Sequence, residues 1–254
     1  QTEVIGVIRE GLQNGMTKGL EREARVFSDL AYGDVAANLI SLFFNTDFAK
    51  ASAQSLVQKF NNSKIKTLGL IGAGVMGTGL AELAARGGIN VILKTNPEKM
   101  EKVNEDLRQF AQRSAHQLVL NKQGDEREKV QNEILDRIKL VSTEKDLAEA
   151  DLILECIIED QEVKQQLLMR LSAADGPLND SAILATGTSS FSVGELSKSV
   201  AKPENFIGLH FFNPVAMMPL VELISHAGTS KQTLAGAMDL VLKLDKTPIV
   251  VKDT

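Results

Sequence analysis

The stretch KTLGLIGAGVMGTG, residues 66–79, contains the strongest signal for the fold of this chain. A short apolar run is followed at once by Gly72, Gly74 and Gly77, and then by a helical spacing of apolar residues from Leu80. This order predicts a β-strand, a tight turn and an α-helix, with glycines where a dinucleotide-binding unit requires them. The first glycine allows the turn, the second lets the backbone approach a pyrophosphate, and the third lets helix and strand pack closely. The alternative is an ordinary tight turn between a strand and a helix.

The first turn of this helix completes the predicted site. Unpaired N–H groups at a helix N-terminus and the positive end of the helix dipole attract phosphate groups. We therefore predict that Gly72, Gly74, Val75, Met76 and Gly77 bind the pyrophosphate of a dinucleotide.

The composition is that of an ordinary globular protein, and it argues against several classes of function. Of the 254 residues, 43% are hydrophobic and 24% are charged. The net charge is −5 and no segment is strongly basic, which argues against a nucleic-acid partner. No apolar run of the sequence has the length of a membrane span. Cys156 is the only cysteine, so the chain has no internal disulfide framework, and its histidines and cysteine lack metal-ligand spacing.

Residues 1–63 predict a helical linker without a catalytic cluster. Apolar residues recur at three- and four-residue steps from Val4 to Phe27. Further amphipathic helices are expected after breaks at residues 33–34 and 45–47. The apolar faces of these helices require a neighbour to pack against.

The predicted second domain covers residues 64–254, and residues 61–63 read as the boundary before it. The chain starts at Gln1 and ends in a strand pattern, so we expect it to be part of a longer protein. No targeting signal is visible. A compartment is therefore not assigned from the sequence. The single cysteine fits a reducing compartment, and a bacterial cytoplasmic location is favoured over a mitochondrial or peroxisomal one.

Strand and helix patterns alternate along the second domain. This alternation predicts an α/β fold of the Rossmann type, with a doubly wound and mainly parallel sheet. The predicted strands after the first cover residues 89–93, 139–141, 152–158, 182–185, 206–212, 220–224 and 247–254.

One insertion interrupts the alternation. Residues 98–121 and 126–138 read as two polar helices joined by a glycine turn at residues 124–125. Such a hairpin is either an arm that contacts the substrate or a plain solvated helix pair.

Polar residues that follow strands are the best candidates for chemistry, because ligands of open α/β sheets bind beyond the carboxyl ends of the strands. After the second strand, an acid usually holds the ribose hydroxyls, but this chain has Thr95 there. Thr95 offers one weaker hydrogen bond, and the adjacent Lys94 favours a 2′-phosphate.

After the fourth strand come Glu159 and, one turn later, Lys164. They are either site residues or an ordinary acidic start of a helix.

The hydroxyls of residues 186–190, Thr-Gly-Thr-Ser-Ser, directly follow another strand. They are suited to hold a substrate oxygen, or they only cap the next helix.

His210 and Glu222 are predicted to face each other across an antiparallel strand pair. If the two strands fold back around a loop centred near Ala216, these positions lie opposite in register. A carboxylate beside an imidazole stabilises its protonated form and selects its tautomer, as a general base for an alcohol proton requires. The alternative is a buried core histidine. Together with a nicotinamide site, the pair predicts a dehydrogenase of secondary alcohols.

Residues 64–254 resemble the NAD-binding domain of the 3-hydroxyacyl-CoA dehydrogenases. The resemblance is carried by four motifs: IGAGVMGTG at 71–79, ECIIEDQEVK at 155–164, TGTSS at 186–190 and GLHFFNPVAMMPLVELI at 208–224. Residues 1–63 are similar to the linker of the bifunctional α-subunit of the fatty-acid oxidation complex. In that family, a hydratase domain precedes the linker and a helical domain follows the NAD-binding domain.

The resemblance implies a fold, a reaction and a set of site residues. The reaction is the NAD-dependent oxidation of L-3-hydroxyacyl-CoA to 3-ketoacyl-CoA in β-oxidation, with an acyl-CoA substrate and a thiolase subunit as partner. His210 is then the catalytic base and Glu222 its partner. Ser189 and Asn213 hold the substrate, while Glu159 and Lys164 line the cofactor site. Thr95 is assigned to the same cofactor site. We expect the isolated chain to have little or no activity.

Two departures from the family pattern keep alternatives open. The acid after the second strand is replaced by Thr95, and the asparagine before Thr-Ser is replaced by Gly187. The alternatives are a degenerate, non-catalytic dinucleotide-binding or structural module and a relative that uses NADP.

Overall fold

The computed structural model describes residues 2–60, 65–119 and 124–253. The described chain forms two compact units, one up to residue 49 and one from residue 50 onward. The boundary predicted at residues 61–63 lies outside the described residues. The second unit begins earlier than that boundary because Ala53 is buried within its hydrophobic core.

Three helices open the chain: α1 (Thr2–Asn14), α2 (Met16–Ala31) and α3 (Asp34–Phe60). The predicted break at residues 33–34 is confirmed, but the break at residues 45–47 is wrong, because α3 continues through it. The Thr46 hydroxyl donates to the carbonyl of Leu42, four residues earlier, so this polar side chain is satisfied within the helix. An unforeseen break occurs at Gly15, where φ is 91°.

The pair α1 and α2 forms a close helical hairpin. A side chain at Gly19 would lie 2.8 Å from the Cα of Gly11, so the glycines allow this approach. An apolar groove of about 510 Å³ runs along the pair. Large apolar side chains on both helices, among them Leu12 and Phe27, are exposed.

The second unit contains one eight-stranded sheet in the order β3-β2-β1-β4-β5-β6-β7-β8. Among the strand pairs that the structure describes, only β6–β7 is antiparallel. The strands are β1 (Thr67–Ile71), β2 (Asn90–Lys94), β3 (Ile138–Val141), β4 (Leu152–Glu155), β5 (Ile183–Thr186), β6 (Phe206–Phe211), β7 (Leu220–Ser225) and β8 (Thr247–Lys252). This sheet confirms the predicted fold class. The fourth strand is shorter than predicted and ends at Glu155.

Helices cover both faces of this sheet through two hydrophobic clusters. They are α4 (Val75–Arg86), α5 (Met100–Leu118), α6 (Gly124–Leu135), α7 (Gln161–Ser172), α8 (Val193–Ser197) and α9 (Lys231–Lys243). Since β1, β2, β4, β5 and β6 are parallel neighbours, their carboxyl ends lie at one edge of the sheet. Among the described helices, every one is too short or too polar to span a bilayer.

The predicted insertion forms a helix pair, α5 and α6, that belongs to the main core. Val103, Leu107 and Ala111 of α5 and Ile134 of α6 are buried in the same cluster as Leu80 of α4. The hairpin therefore packs on α4 through an apolar face, and its polar side faces outward, as its amphipathic sequence requires.

Candidate functional site

The glycine turn between β1 and α4 has the geometry that its sequence predicts. Gly72 has a φ of 104°, a left-handed conformation that favours glycine. A Cβ on Gly77 would lie 1.8 Å from the carbonyl oxygen of Gly72, so no other residue fits there without a shift of the backbone. A Cβ on Gly74 would meet no atom within 4 Å, which leaves its backbone open to a ligand.

A cleft of about 430 Å³ lies beside this turn. It extends from residues 71–74 to the end of β2 at residues 94–96, and along residues 156–158 after β4. Val75 and Met76 form the first turn of α4, and the side chain of Val75 is exposed. The residues of this half of the site fit a pyrophosphate, because an open glycine backbone adjoins a helix N-terminus.

Thr95, which the sequence places at the ribose position, lies at the other end of the cleft. Thr95 lines the cleft, although only 5% of the residue is exposed, and its backbone N–H donates to the carbonyl of Val141. No carboxylate occupies the end of β2, so the contact that usually selects a free ribose 2′-hydroxyl is not made at this position.

His210 and Glu222 meet as the register argument predicts. The two residues are paired across β6 and β7, and His210 Nδ1 lies 2.7 Å from Glu222 Oε2. Because a carboxylate only accepts hydrogen bonds, Nδ1 is the protonated nitrogen of the neutral ring. The other ring nitrogen, Nε2, is therefore left as an acceptor.

Ser189 stands at that acceptor. Its Oγ lies 3.0 Å from His210 Nε2, across the gap between the loop after β5 and strand β6. Serine, imidazole and carboxylate thus form a continuous hydrogen-bonded row at the carboxyl edge of the sheet.

Glu159 holds the loop that carries Ser189. Its Oε1 accepts from the Thr188 hydroxyl, from the backbone N–H groups of Ser189 and Ser190, and from the Ser190 hydroxyl. Although burial acts to raise it, the pKa of Glu159 is lowered to about 2, because these hydrogen bonds and the charge of Lys164 stabilise the carboxylate. Glu159 therefore contacts the serine loop, rather than acting only as an acidic helix start.

Lys164 does not line the open cleft, contrary to the expectation for a cofactor contact. It is 1% exposed, and its Nζ lies 2.9 Å from both carboxylate oxygens of Glu155 and 3.2 Å from Glu159. Lys164 lies in the N-terminal half of α7, and its contact with Glu155 places its ammonium group at the carboxyl end of β4.

Glu155 is the residue that sequence reasoning missed. It is 0% exposed at the end of β4, and it also accepts a hydrogen bond from the Thr186 hydroxyl. Burial raises the pKa of its carboxyl, against the opposing charge of Lys164. A charged residue that ends an otherwise apolar strand was the available signal.

Asn213 and Gly187 flank this row in different ways. Asn213 follows β6, is exposed, and makes no side-chain hydrogen bond within the described residues. Gly187 follows β5, and a Cβ there would lie 3.0 Å from the carbonyl oxygen of Glu155. Glycine therefore suits position 187, because the backbone of Glu155 lies close to it.

In the described part of the chain, no group of three or more acidic, histidine or cysteine side chains is arranged to hold a metal.

Comparison with known families gives one match that covers most of the chain. The family described as 3-hydroxyacyl-CoA dehydrogenase, NAD binding domain, matches residues 67–254.

Curated relatives match nearly the entire chain. The fatty acid oxidation complex subunit alpha of Pseudomonas putida is 35% identical over 253 residues, which is 99% of this chain. The subunit of the same name from Vibrio vulnificus is 33% identical over 253 residues. In both cases the chain spans 34% of the length of the relative.

Solved structures are similar over three quarters of the chain. The (S)-3-hydroxybutyryl-CoA dehydrogenase of Ralstonia eutropha is 34% identical with a TM-score of 0.66, over 75% of this chain and 65% of that one. The 3-hydroxybutyryl-CoA dehydrogenase of Escherichia coli is 30% identical with a TM-score of 0.68, over 76% of this chain and 39% of that one.

Proposed function

The chain belongs to the family of 3-hydroxyacyl-CoA dehydrogenase NAD-binding domains, and from this premise we propose that the protein oxidises L-3-hydroxyacyl-CoA to 3-ketoacyl-CoA with NAD. The resemblance inferred from the sequence is thereby confirmed at the level of the family. The observation that carries the proposed activity is the row of Ser189, His210 and Glu222 at the edge where the glycine turn also lies.

His210 is the proposed general base. Its Nδ1–H is engaged by Glu222, so its Nε2 presents a lone pair toward Ser189. A substrate hydroxyl placed beside Ser189 donates its proton to this nitrogen as the carbon–oxygen double bond forms. Glu222 then stabilises the positive charge that develops on the ring.

Ser189 is the proposed orienting group. Its hydroxyl hydrogen-bonds to the substrate oxygen, and its backbone N–H is fixed by Glu159. Asn213 is exposed near the same edge, and we assign its amide to the substrate carbonyl end. Exposure suits this assignment, because its donors are available to a ligand.

The cofactor is assigned to the cleft beside the glycine turn. NAD supplies the hydride acceptor when it is bound. Gly72 and Gly74 with the first turn of α4 would hold its pyrophosphate, and the end of β2 would face its adenosine. Gly77 would support this site by letting α4 pack closely on the turn.

The test of this activity compares variants in the full-length protein. His210→Ala is expected to abolish NADH formation from 3-hydroxyacyl-CoA while leaving NADH binding intact. Glu222→Gln should lower kcat by about ten- to a hundredfold, the value of one charged hydrogen bond. Unchanged turnover of His210→Ala would refute the assignment. A chain that binds no NADH in a fluorescence titration would instead favour a degenerate module.

The complex-level role is a further part of the proposal. The match to complex α-subunits includes the N-terminal helices, since it covers 99% of the chain. We therefore assign the full-length protein to a bacterial cytoplasmic fatty-acid oxidation complex with a thiolase subunit. Co-expression with that thiolase, followed by size-exclusion chromatography, tests this assignment; separate elution of the two proteins contradicts it. Cell fractionation tests the compartment.

A further inference from the structure

We propose that the adenosine end of the cleft accepts a 2′-phosphate, so that the protein binds NADP(H) as well as NAD(H). This inference rests on the proposed function, because it takes the cleft beside the glycine turn as the dinucleotide site. The residues that decide between the two cofactors are Thr95, Lys94 and Lys99.

The end of β2 carries no acidic residue. A carboxylate at the end of the second strand accepts hydrogen bonds from the ribose hydroxyls and repels a 2′-phosphate. Thr95 carries no charge and lines the cleft at this position. Its hydroxyl can donate to a phosphate oxygen as well as accept from a ribose hydroxyl, so it does not discriminate by charge.

The charged side chains around the cleft favour an anionic group on the ligand. The acidic and basic residues that line the cleft are Lys94, Lys99, Arg170 and Glu144. Arg170 and Glu144 pair with each other at 3.1 Å and offset each other's charge. Within the described residues, Lys94 and Lys99 make no ion pair, so this part of the cleft is left cationic.

The positions of the two lysines suit a phosphate on the ribose. Lys94 is the last residue of β2, immediately before Thr95. Lys99 lies in the short turn that begins at Pro97, and its backbone N–H is tied to the carbonyl of Asn96. Both ammonium groups therefore extend from backbone that adjoins the end of β2, where the ribose of a bound dinucleotide lies.

The test is a fluorescence titration of the chain with NADH and with NADPH. For the unmodified chain, the Kd for NADPH is expected to lie within about tenfold of the Kd for NADH. Lys99→Ala should raise the Kd for NADPH about tenfold, the value of one charge-assisted hydrogen bond, and leave that for NADH nearly unchanged. Thr95→Asp should raise the Kd for NADPH by at least about tenfold, because the new carboxylate repels the 2′-phosphate.

Lys102→Ala is the matched control. Lys102 is exposed one turn away on α5 and does not line the cleft, so its replacement changes the net charge equally and should alter neither Kd. Lys99 is also exposed, so its replacement keeps the test valid if Thr95→Asp fails to fold.

The possible outcomes separate this inference from the proposed function. NADPH binding more than about a hundredfold weaker than NADH overturns the inference and leaves the NAD site standing. Equal weakening of both cofactors by Lys99→Ala also overturns it, because the lysine would then act on a group that both share. Failure of NADH to bind overturns the proposed dinucleotide site itself.

Discussion

Replacement of Lys164 by Met should destabilise the protein strongly, because it removes the cation from a buried ion pair. The side chains of Lys164 and Glu155 are 1% and 0% exposed, and two contacts of 2.9 Å join them. Met has a similar length and fills the space without a charge. Glu155 would keep its hydrogen bonds from Thr186 and from the backbone N–H of Ile157, but not its counter-ion.

The expected loss in free energy of unfolding is about 3–5 kcal/mol, the cost of leaving one partner of a buried pair uncompensated. The contact of Lys164 with Glu159 adds little, because the Glu159 side chain is 38% exposed and solvent screens it. The double variant Lys164→Met/Glu155→Gln should recover much of the loss, since it leaves no buried charge.

Urea denaturation measures this loss, with Lys198→Met as the matched control. Lys198 lies only 2.7 Å from Glu195, but their side chains are 69% and 57% exposed. Its replacement should therefore cost less than about 1 kcal/mol. If Lys164→Met costs no more than Lys198→Met, burial does not set the strength of the pair and the reasoning is refuted.

The loss should also depend on pH. Burial raises the pKa of Glu155, and without Lys164 the folded state favours its protonated form. A raised carboxyl pKa contributes stability at low pH that is lost as the pH rises. The deficit of Lys164→Met should therefore shrink as the pH falls from about 8 towards about 5.

Three other variants test the site and its support. Glu159→Gln should be less stable than the unmodified chain at neutral pH. Because the pKa of Glu159 is lowered in the folded state, this difference in stability should vanish as the pH falls from about 4.5 towards 2. Urea denaturation at each pH measures the difference. Gly77→Ala should abolish NADH binding, because the new Cβ would lie 1.8 Å from the carbonyl oxygen of Gly72 and force the glycine turn to shift. A fluorescence titration with NADH measures this. Lys246→Met should speed proteolysis of residues 215–218, whose carbonyls at Val215 and Met218 accept from the Lys246 ammonium at 2.7 and 2.9 Å.

Most of the second unit could be predicted from the sequence because its signals are local. Apolar runs bounded by turns identify the strands, and glycine spacing identifies the dinucleotide turn. The helix α3 was less predictable. Residues 45–47 carry polar side chains typical of a break, yet the Thr46 hydroxyl is satisfied by the helix itself.

The candidate site divides in the same way. His210 and Glu222 could be paired from the sequence, because a strand pair joined by a short loop has a register set by counting residues. Ser189 could be singled out, but its contact with His210 could not, since it depends on the distance between β5 and β6.

The α/β fold, the glycine turn and the His210–Glu222 pair can be predicted from the sequence alone, since each depends on residues close together in the chain. Two features appear only in the folded structure: Lys164 is buried against Glu155, and Glu159 accepts hydrogen bonds from the serine loop. These features depend on burial and on contacts between residues far apart in the chain, and the spacing of residues in the sequence reveals neither.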